Sequence, residues 1–223
     1  MPPLQRSGAE YPQGSLLAGW FRRKWSVISL NTICTETAKL EKFMKKQLKP
    51  SRYTHSLGVE KMASELAAIY GEDTEKAAFA GRYHDIAKCF TPEVMNGYVR
   101  QFGLPEIYID NNPLAHSKVA AEILKTEFGV TDEEVLNAVR SHTTGRRDMS
   151  LLEEIVYVAD AIEENRNYPE LKALQEQARV DLDGACLFIM DYTLQQLEKK
   201  GRVPDRDTIE ARQFITDRIR NKE

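Results

Sequence analysis

The sequence is poor in the residues that mark turns. Of its 223 residues, 12 are glycine and 9 are proline, below the roughly 12% that these two types usually contribute together. Its three cysteines, Cys34, Cys89 and Cys186, are an odd number with no Cys-x-x-Cys pair. That pattern argues against a disulfide framework and a cysteine zinc site, and favours a reducing compartment. A chain with few turn residues favours long helices over many short strands.

Long apolar runs and a large charge of one sign are also missing. No segment reaches the roughly 18–20 apolar residues of a membrane span, so we expect a cytoplasmic protein without a membrane partner. The 31 lysines and arginines face 34 aspartates and glutamates, which gives a net charge of −3. A globally basic nucleic-acid binder is therefore not expected.

The chain divides into a short N-terminal extension and one long domain. Residues 1–36 contain several prolines and glycines and a basic run at Arg22-Arg23-Lys24, so they are predicted to be a weakly ordered extension. Over residues 37–223 apolar residues recur at helical spacing, and no run alternates with period two. The sequence therefore predicts an all-α bundle. Helices are predicted from Thr37 to Leu48, Tyr53 to Tyr70, Thr74 to Cys89, Leu114 to Phe128, a capping box at Thr131 to about His142, Ser150 to Glu164, Leu171 to Lys200 with possible interruptions, and Asp207 to Arg220.

All four histidines of the chain lie on the core-facing side of a predicted helix. Apolar or small residues occur three, four or seven positions from each of them, as side chains on one helix face do: His55, His84, His116 and His142. A single inward histidine is usually a core residue with its own hydrogen-bond partner. Four would need four partners, since an unpaired buried polar group costs about 1–3 kcal/mol. A shared metal cluster satisfies all of them at once.

Two aspartates complete the candidate ligand set. Asp85 directly follows His84, and successive helical residues differ by about 100° in direction, so the two can approach one ion. Asp160 ends a largely apolar run, where a carboxylate is rarely left unpaired; Glu163 and Glu164 are instead predicted on the solvated face. Six imidazole and carboxylate ligands favour iron, manganese or zinc and exceed the needs of one tetrahedral ion. A two-metal site is therefore expected.

This order of ligands resembles the HD superfamily of metal-dependent phosphohydrolases, in which His…His-Asp…Asp from separate helices hold the metal. His55, His84-Asp85 and Asp160 match that pattern. Five longer blocks narrow the resemblance to the bacterial YqeK family, which is described as symmetrical diadenosine tetraphosphate hydrolases. The blocks are Tyr53 to Val59, His84 to Lys88, Ala115-His116, His142 to Gly145 and Tyr157 to Arg166.

The resemblance implies an HD-domain helical bundle with a dinuclear metal centre. Iron is the expected metal, and manganese and zinc are the alternatives. It implies an acid anhydride hydrolase that converts diadenosine tetraphosphate and water into two ADP. Two ions that share Asp85 would lower the pKa of a bridging water, and the resulting hydroxide would attack near the middle of the polyphosphate. The implied partner is a small nucleotide, and a homodimer is an open alternative.

Other residues are expected to bind the polyphosphate. Lys88 lies one turn after His84 and is expected to act beside Asp85 in catalysis, while Arg166 can chelate phosphate with its guanidinium. His116 and His142 have two open roles, as ligands of the second metal or as phosphate contacts. The expected substrate-binding set is Thr54, Lys88, His116, His142, Thr143 and Arg166, with Arg52, Arg146 and Arg147 as weaker candidates.

Other functions remain alternatives at this point. One is an HD-type phosphohydrolase for other nucleotides, a nucleotidase or deoxynucleotide phosphohydrolase. Another is a non-catalytic nucleotide sensor or RNA-binding protein, which the intact His84-Asp85 pair disfavours. A helical adaptor would explain none of the six inward ligands. Phosphate-binding loops, dinucleotide-binding glycine motifs and His-Glu-x-x-His are absent from the sequence, so those classes lack support.

Overall fold

The structure, a computed structural model, describes residues 33–34 and 36–222. The predicted weakly ordered extension over residues 1–36 therefore lies almost wholly outside the described residues. The described part is all-α, as the sequence predicted, with one 3₁₀ turn (Glu106–Tyr108) and no strand. Its helices are α1 (Thr37–Gln47), α2 (Pro50–Tyr70), α3 (Thr74–Tyr83), α4 (Pro92–Gln101), α5 (Asn112–Glu127), α6 (Glu133–Ser141), α7 (Leu151–Ile162), α8 (Leu171–Ala178), α9 (Leu182–Lys199) and α10 (Arg206–Arg220). None of these helices combines the length and the hydropathy that a bilayer span requires.

Helix α7 is the central element of the bundle. Every residue from Leu152 to Ala159 is buried, and α2, α3, α6, α8 and α9 all pack against this helix. A helix that is apolar on all sides belongs inside a bundle. Its first turn is fixed by a capping box, in which Ser150 and Glu153 satisfy each other's backbone N–H groups. Asp160 lies in the last turn of this central helix.

Small residues bring α2 and α3 together beside the histidines. A Cβ atom added to Gly81 of α3 would lie 2.9 Å from the backbone oxygen of Val59 in α2, closer than packed atoms allow. The absence of a side chain at Gly81 therefore lets the two backbones approach. His55 on α2 and His84 just beyond α3 become neighbours, with ring centroids 5.3 Å apart.

The structure differs from the predicted helices at several places; α2, for example, begins at Pro50 and not at Tyr53. Helix α3 ends at Tyr83 and not at Cys89, because residues 84–89 form turns in which Lys88 N–H bonds to the Asp85 carbonyl three residues back. Helix α4 was not predicted; Thr91 caps it and Pro92 occupies its first turn. Asp132, not Thr131, caps α6. The interruption that was allowed for between Leu171 and Lys200 is confirmed: the segment forms two helices, and Asp181 caps the second.

A partly buried charge network ties α1 to α2 and α3. Arg82 donates to Glu41 at 3.0 Å and also to Glu60, and Tyr53 donates to Glu41 at 2.8 Å. Burial raises the pKa of Glu41, but the hydrogen bonds from Arg82 and Tyr53 outweigh it and lower the pKa to about 2. Arg82 is therefore shared by two shielded carboxylates of the network, and Lys45, which is more exposed, lies 3.3 Å from Glu41 Oε1 as a second cation.

Replacing Arg82 by methionine is expected to lower the free energy of unfolding by about 2–3 kcal/mol, between the values for exposed and buried pairs. The loss arises because Glu60 would stay shielded without a partner among the described residues, and Glu41 would keep only Tyr53 and the more exposed Lys45. Denaturant unfolding measures it, with Lys61→Met as control, since Lys61 forms an exposed pair with Glu164. A change no larger than that of the control would show that the network contributes nothing.

Candidate metal centre

The structure brings the four histidines and both aspartates to one place between the helices. His55 comes from α2, His116 from α5 and Asp160 from α7, while His142 caps the end of α6. The prediction that every group lies on its own helix is wrong for His84 and Asp85, which occupy the turn after α3. All six side chains are buried except that of Asp160, of which 23% is exposed to solvent.

Asp85 lies between two pairs of histidines, and each of its oxygens faces one pair. Its Oδ2 atom is 3.5 Å from His84 Nε2 and 3.9 Å from His55 Nε2. Its Oδ1 atom is 3.2 Å from His116 Nε2 and 3.5 Å from His142 Nε2. Asp160 Oδ1 is a further candidate ligand atom beside the His55 and His84 pair. It lies 3.0 Å from His55 Nε2 and 3.6 Å from His84 Nε2.

The four imidazoles are oriented by hydrogen bonds on their Nδ1 atoms. His84 donates to the Gly81 carbonyl at 2.7 Å and His142 to the Val139 carbonyl at 2.7 Å. His116 likewise donates to the Asn112 carbonyl at 3.2 Å. Because carbonyl oxygens only accept, these three Nδ1 atoms carry the hydrogen and the Nε2 lone pairs point to the centre. That is the orientation of histidines that bind metals.

The nitrogen and oxygen atoms at the centre suit the binding of a divalent metal. His116 Nε2 and His142 Nε2 are 3.1 Å apart, so two lone pairs face each other without a proton between them. His55 Nε2, His84 Nε2 and Asp85 Oδ1 are buried and have no hydrogen-bond partner within the described residues. Such orphaned polar atoms are costly unless a cation lies among them. Three overlapping groups have ligand spacing: His55, His84 and Asp85; Asp85, His116 and His142; His84, His142 and Asp160.

The protonation states of the cluster also suit a metal. Burial would raise the pKa of Asp85, but the neighbouring imidazoles of His84, His116 and His142 outweigh it and hold that pKa well below its usual value. Burial lowers the pKa of His116, and lowers the pKa of His142 to about 4. The carboxylate is therefore ionised and these two imidazoles are neutral at neutral pH, as metal ligands must be.

Glu163 is part of the centre, although the sequence placed it on the solvated face. Its Oε1 atom lies 3.1 Å from His55 Nδ1, and its Oε2 atom accepts hydrogen bonds from the backbone and side chain of Asn165, both at 2.7 Å. The residue is 1% exposed. The prediction failed because α7 ends at Ile162 and the backbone is extended at Glu163 (ψ 159), so helical periodicity no longer applies there.

Three cations lie at the edge of the cluster, each with a side chain that remains about one-third exposed. Arg52 donates to Asp85 Oδ2 at 3.1 Å, and Lys88 donates to His116 Nε2 at 2.9 Å. Arg166 donates to Asp160 Oδ1 at 2.6 Å. Arg52, a weaker candidate in the sequence, is thus as close to the cluster as Lys88 and Arg166.

The other predicted substrate residues differ in position. Thr143 is at the cluster, where its hydroxyl donates to His116 Nε2 at 3.1 Å. Thr54 is exposed and donates to the Pro50 carbonyl of its own helix at 3.1 Å, so it is not among the residues brought together. Arg146 pairs with the buried Glu153 at the start of α7, and Arg147 lies over the Phe214 ring.

A helical bundle that gathers four histidines and two aspartates at its centre has the ligand set of the all-α proteins that bind divalent metals. The family model of the HD domain matches residues 52–165, a range that includes all six of these residues. The chain belongs to the HD domain family.

Relatives of the chain are bacterial. The chain is 40% identical over 166 residues to "Bis(5'-nucleosyl)-tetraphosphatase, symmetrical" of Bacillus subtilis, which covers 74% of this chain and 89% of that one. The protein of the same name from Halalkalibacterium halodurans is 38% identical over 172 residues, 77% of this chain and 92% of that one. The fold is similar to a crystal structure from Clostridium acetobutylicum described as a "predicted HD superfamily hydrolase involved in NAD metabolism". The TM-score is 0.78 at 40% identity, covering 82% of this chain and 97% of that one.

Proposed function

We propose that this chain hydrolyses bis(5'-nucleosyl) tetraphosphates symmetrically, releasing two nucleoside diphosphates. The observation that carries the proposal is Asp85, with one oxygen toward His55 and His84 and the other toward His116 and His142. The names of the Bacillus and Halalkalibacterium relatives support the same substrate for this chain.

We propose two metal ions as cofactors. His55, His84 and Asp160 would hold one, His116 and His142 would hold the other, and Asp85 would be shared. The family resemblance favours iron, and manganese and zinc suit the same ligands. When bound, the ions supply Lewis acidity and lower the pKa of water so that it can act as a nucleophile. We assign His116 and His142 to metal ligation because their Nε2 atoms, which carry no hydrogen, face each other and Asp85.

Arg52, Lys88 and Arg166 would bind the polyphosphate. Each of the three now bonds to one atom of the ligand set. If a metal takes over that atom, the cation becomes free to bind a phosphate oxygen. The planar guanidinium groups can chelate two oxygens, whereas Lys88 acts as a point charge. With cations on several sides, the chain can hold a tetraphosphate with its middle over the shared Asp85, and this placement accounts for equal products.

Product analysis tests the proposal. The metal-loaded protein is incubated with diadenosine tetraphosphate, and the nucleotides are separated by ion-exchange chromatography. We expect ADP alone, at two ADP for each substrate consumed. ATP with AMP would reject symmetrical cleavage. Higher kcat/KM for nucleoside monophosphates or deoxynucleotides in a substrate panel would favour the other HD-type phosphohydrolases, and binding without turnover would favour a sensor.

A further inference from the structure

A pocket lined with aromatic side chains extends from the cluster toward α9. Asp160 and Arg166 form its inner end. Tyr168, Phe188 and Tyr192 line its outer part, and we call this outer part the aromatic pocket. A ligand that fits both parts has a charged end and a flat apolar end, and a nucleotide has both.

Two rings of the aromatic pocket are unusually open to solvent. Phe188 and Tyr192 are 39% and 49% exposed, and they are the two most exposed aromatic side chains among residues 33–34 and 36–222. They are four residues apart on α9 and therefore lie side by side on one face of the helix. Leaving apolar area in water forfeits about 25 cal/mol per Å². An exposed aromatic pair at a pocket mouth is typical of a surface that a ligand covers.

We propose that the aromatic pocket binds the purine at one nucleoside end of the substrate by stacking, and that it accepts adenine and guanine alike. This inference rests on the proposed function. The position of Arg166 supports it, because a purine held against Phe188 and Tyr192 directs its phosphates toward the guanidinium at the inner end. Stacking on aromatic rings tolerates any base, since every base has a π face.

Few polar groups in the aromatic pocket are free to read the edge of a base. The Tyr168 hydroxyl donates to the Ala161 carbonyl at 2.9 Å, and Tyr157 is buried. No asparagine or glutamine lines the pocket in the described part of the chain. Glu170 also lines the pocket; a carboxylate can accept from two N–H groups of guanine and from one of adenine, but Glu170 is exposed, and water competes for these hydrogen bonds.

Leucine substitutions test the inference because they keep apolar bulk and remove the π face. The variants are Phe188→Leu, Tyr192→Leu and the double variant, and Ile209→Ala is the control, an exposed apolar side chain on α10. Stacking is worth about 1–3 kcal/mol per base, so we expect the Kd of ADP to rise by about 5- to 150-fold in the double variant. Calorimetry measures ADP binding, and inhibition by tripolyphosphate serves as a probe without a base. We expect the KM of diadenosine tetraphosphate to rise in parallel, with kcat, tripolyphosphate inhibition and the control unchanged.

Two results would overturn the inference. One is wild-type ADP affinity in the double variant, and the other is an equal loss of ADP and tripolyphosphate binding, which would indicate damage at the metal centre. A preference between adenine and guanine substrates greater than about tenfold, or 1.4 kcal/mol, would overturn the claim of equal acceptance. Absence of tetraphosphate hydrolysis by the wild type would reject the proposed function instead, and the ADP titration would still judge the pocket.

Discussion

Replacing Asp85 by asparagine is expected to abolish hydrolysis and to reduce the metal content more than any single histidine substitution. Both oxygens of Asp85 face histidine pairs, and an amide supplies neither the charge nor the second acceptor oxygen. We expect kcat/KM to fall by more than the 10- to 100-fold that is typical for residues around metal ligands. Steady-state kinetics and elemental analysis of the purified variant measure the two effects.

Asp217→Asn is a matched control, because Asp217 is a carboxylate near the end of α10 that bonds to Gln213 on the surface. We expect wild-type activity and metal content in that variant, and circular dichroism to show the same helix content in both. Wild-type turnover in Asp85→Asn would contradict the assignment of Asp85 to both halves of the centre. An intact metal content with lost activity would limit Asp85 to a role in the chemical step.

Replacing Glu163 by glutamine is expected to weaken metal binding by about 10- to 100-fold. Glu163 accepts from His55 Nδ1 through one oxygen and from Asn165 through the other. An amide has one acceptor oxygen and one donor group, so it cannot satisfy both partners. His55 would then lose either its orientation or its preferred tautomer. Equilibrium dialysis of the metal-free protein against the metal measures the change without reference to activity.

The neighbouring Glu164→Gln is the control, because Glu164 is exposed and pairs with Lys61 on the surface. Gly58→Ala provides a second route to the same site, since a Cβ atom at that position would lie 2.2 Å from Glu163 Oε2. We expect Gly58→Ala to resemble Glu163→Gln. Equal metal affinity in Glu163→Gln and Glu164→Gln would show that Glu163 does not position His55.

The sequence predicted the helical fold well where the apolar pattern is long and its ends are marked. Gly71 ends α2, and Ser150 begins α7 with a capping box. The pattern failed where a helix is short or where the backbone changes conformation inside an apolar stretch. Helix α4 has two buried residues, Met95 and Val99, which are too few to define a periodicity.

The six inward side chains were predicted from the sequence because histidines are rare in it and apolar residues surround each of them. Which oxygen of Asp85 faces which pair depends on the turn after Tyr83, and no local pattern reveals that turn. Glu163 was missed for a similar reason, because its burial follows from the end of α7 and from the space left by Gly58. The exposed pair on α9 carries no signal at all in the sequence, since exposure there depends on the neighbouring pocket.

Anomalous scattering from crystals of the manganese-loaded protein tests the central claim most directly. We expect two peaks in each chain, both beside Asp85, one next to His55 and His84 and the other next to His116 and His142. A single peak, or peaks away from Asp85, would contradict a centre in which this carboxylate is shared by two ions.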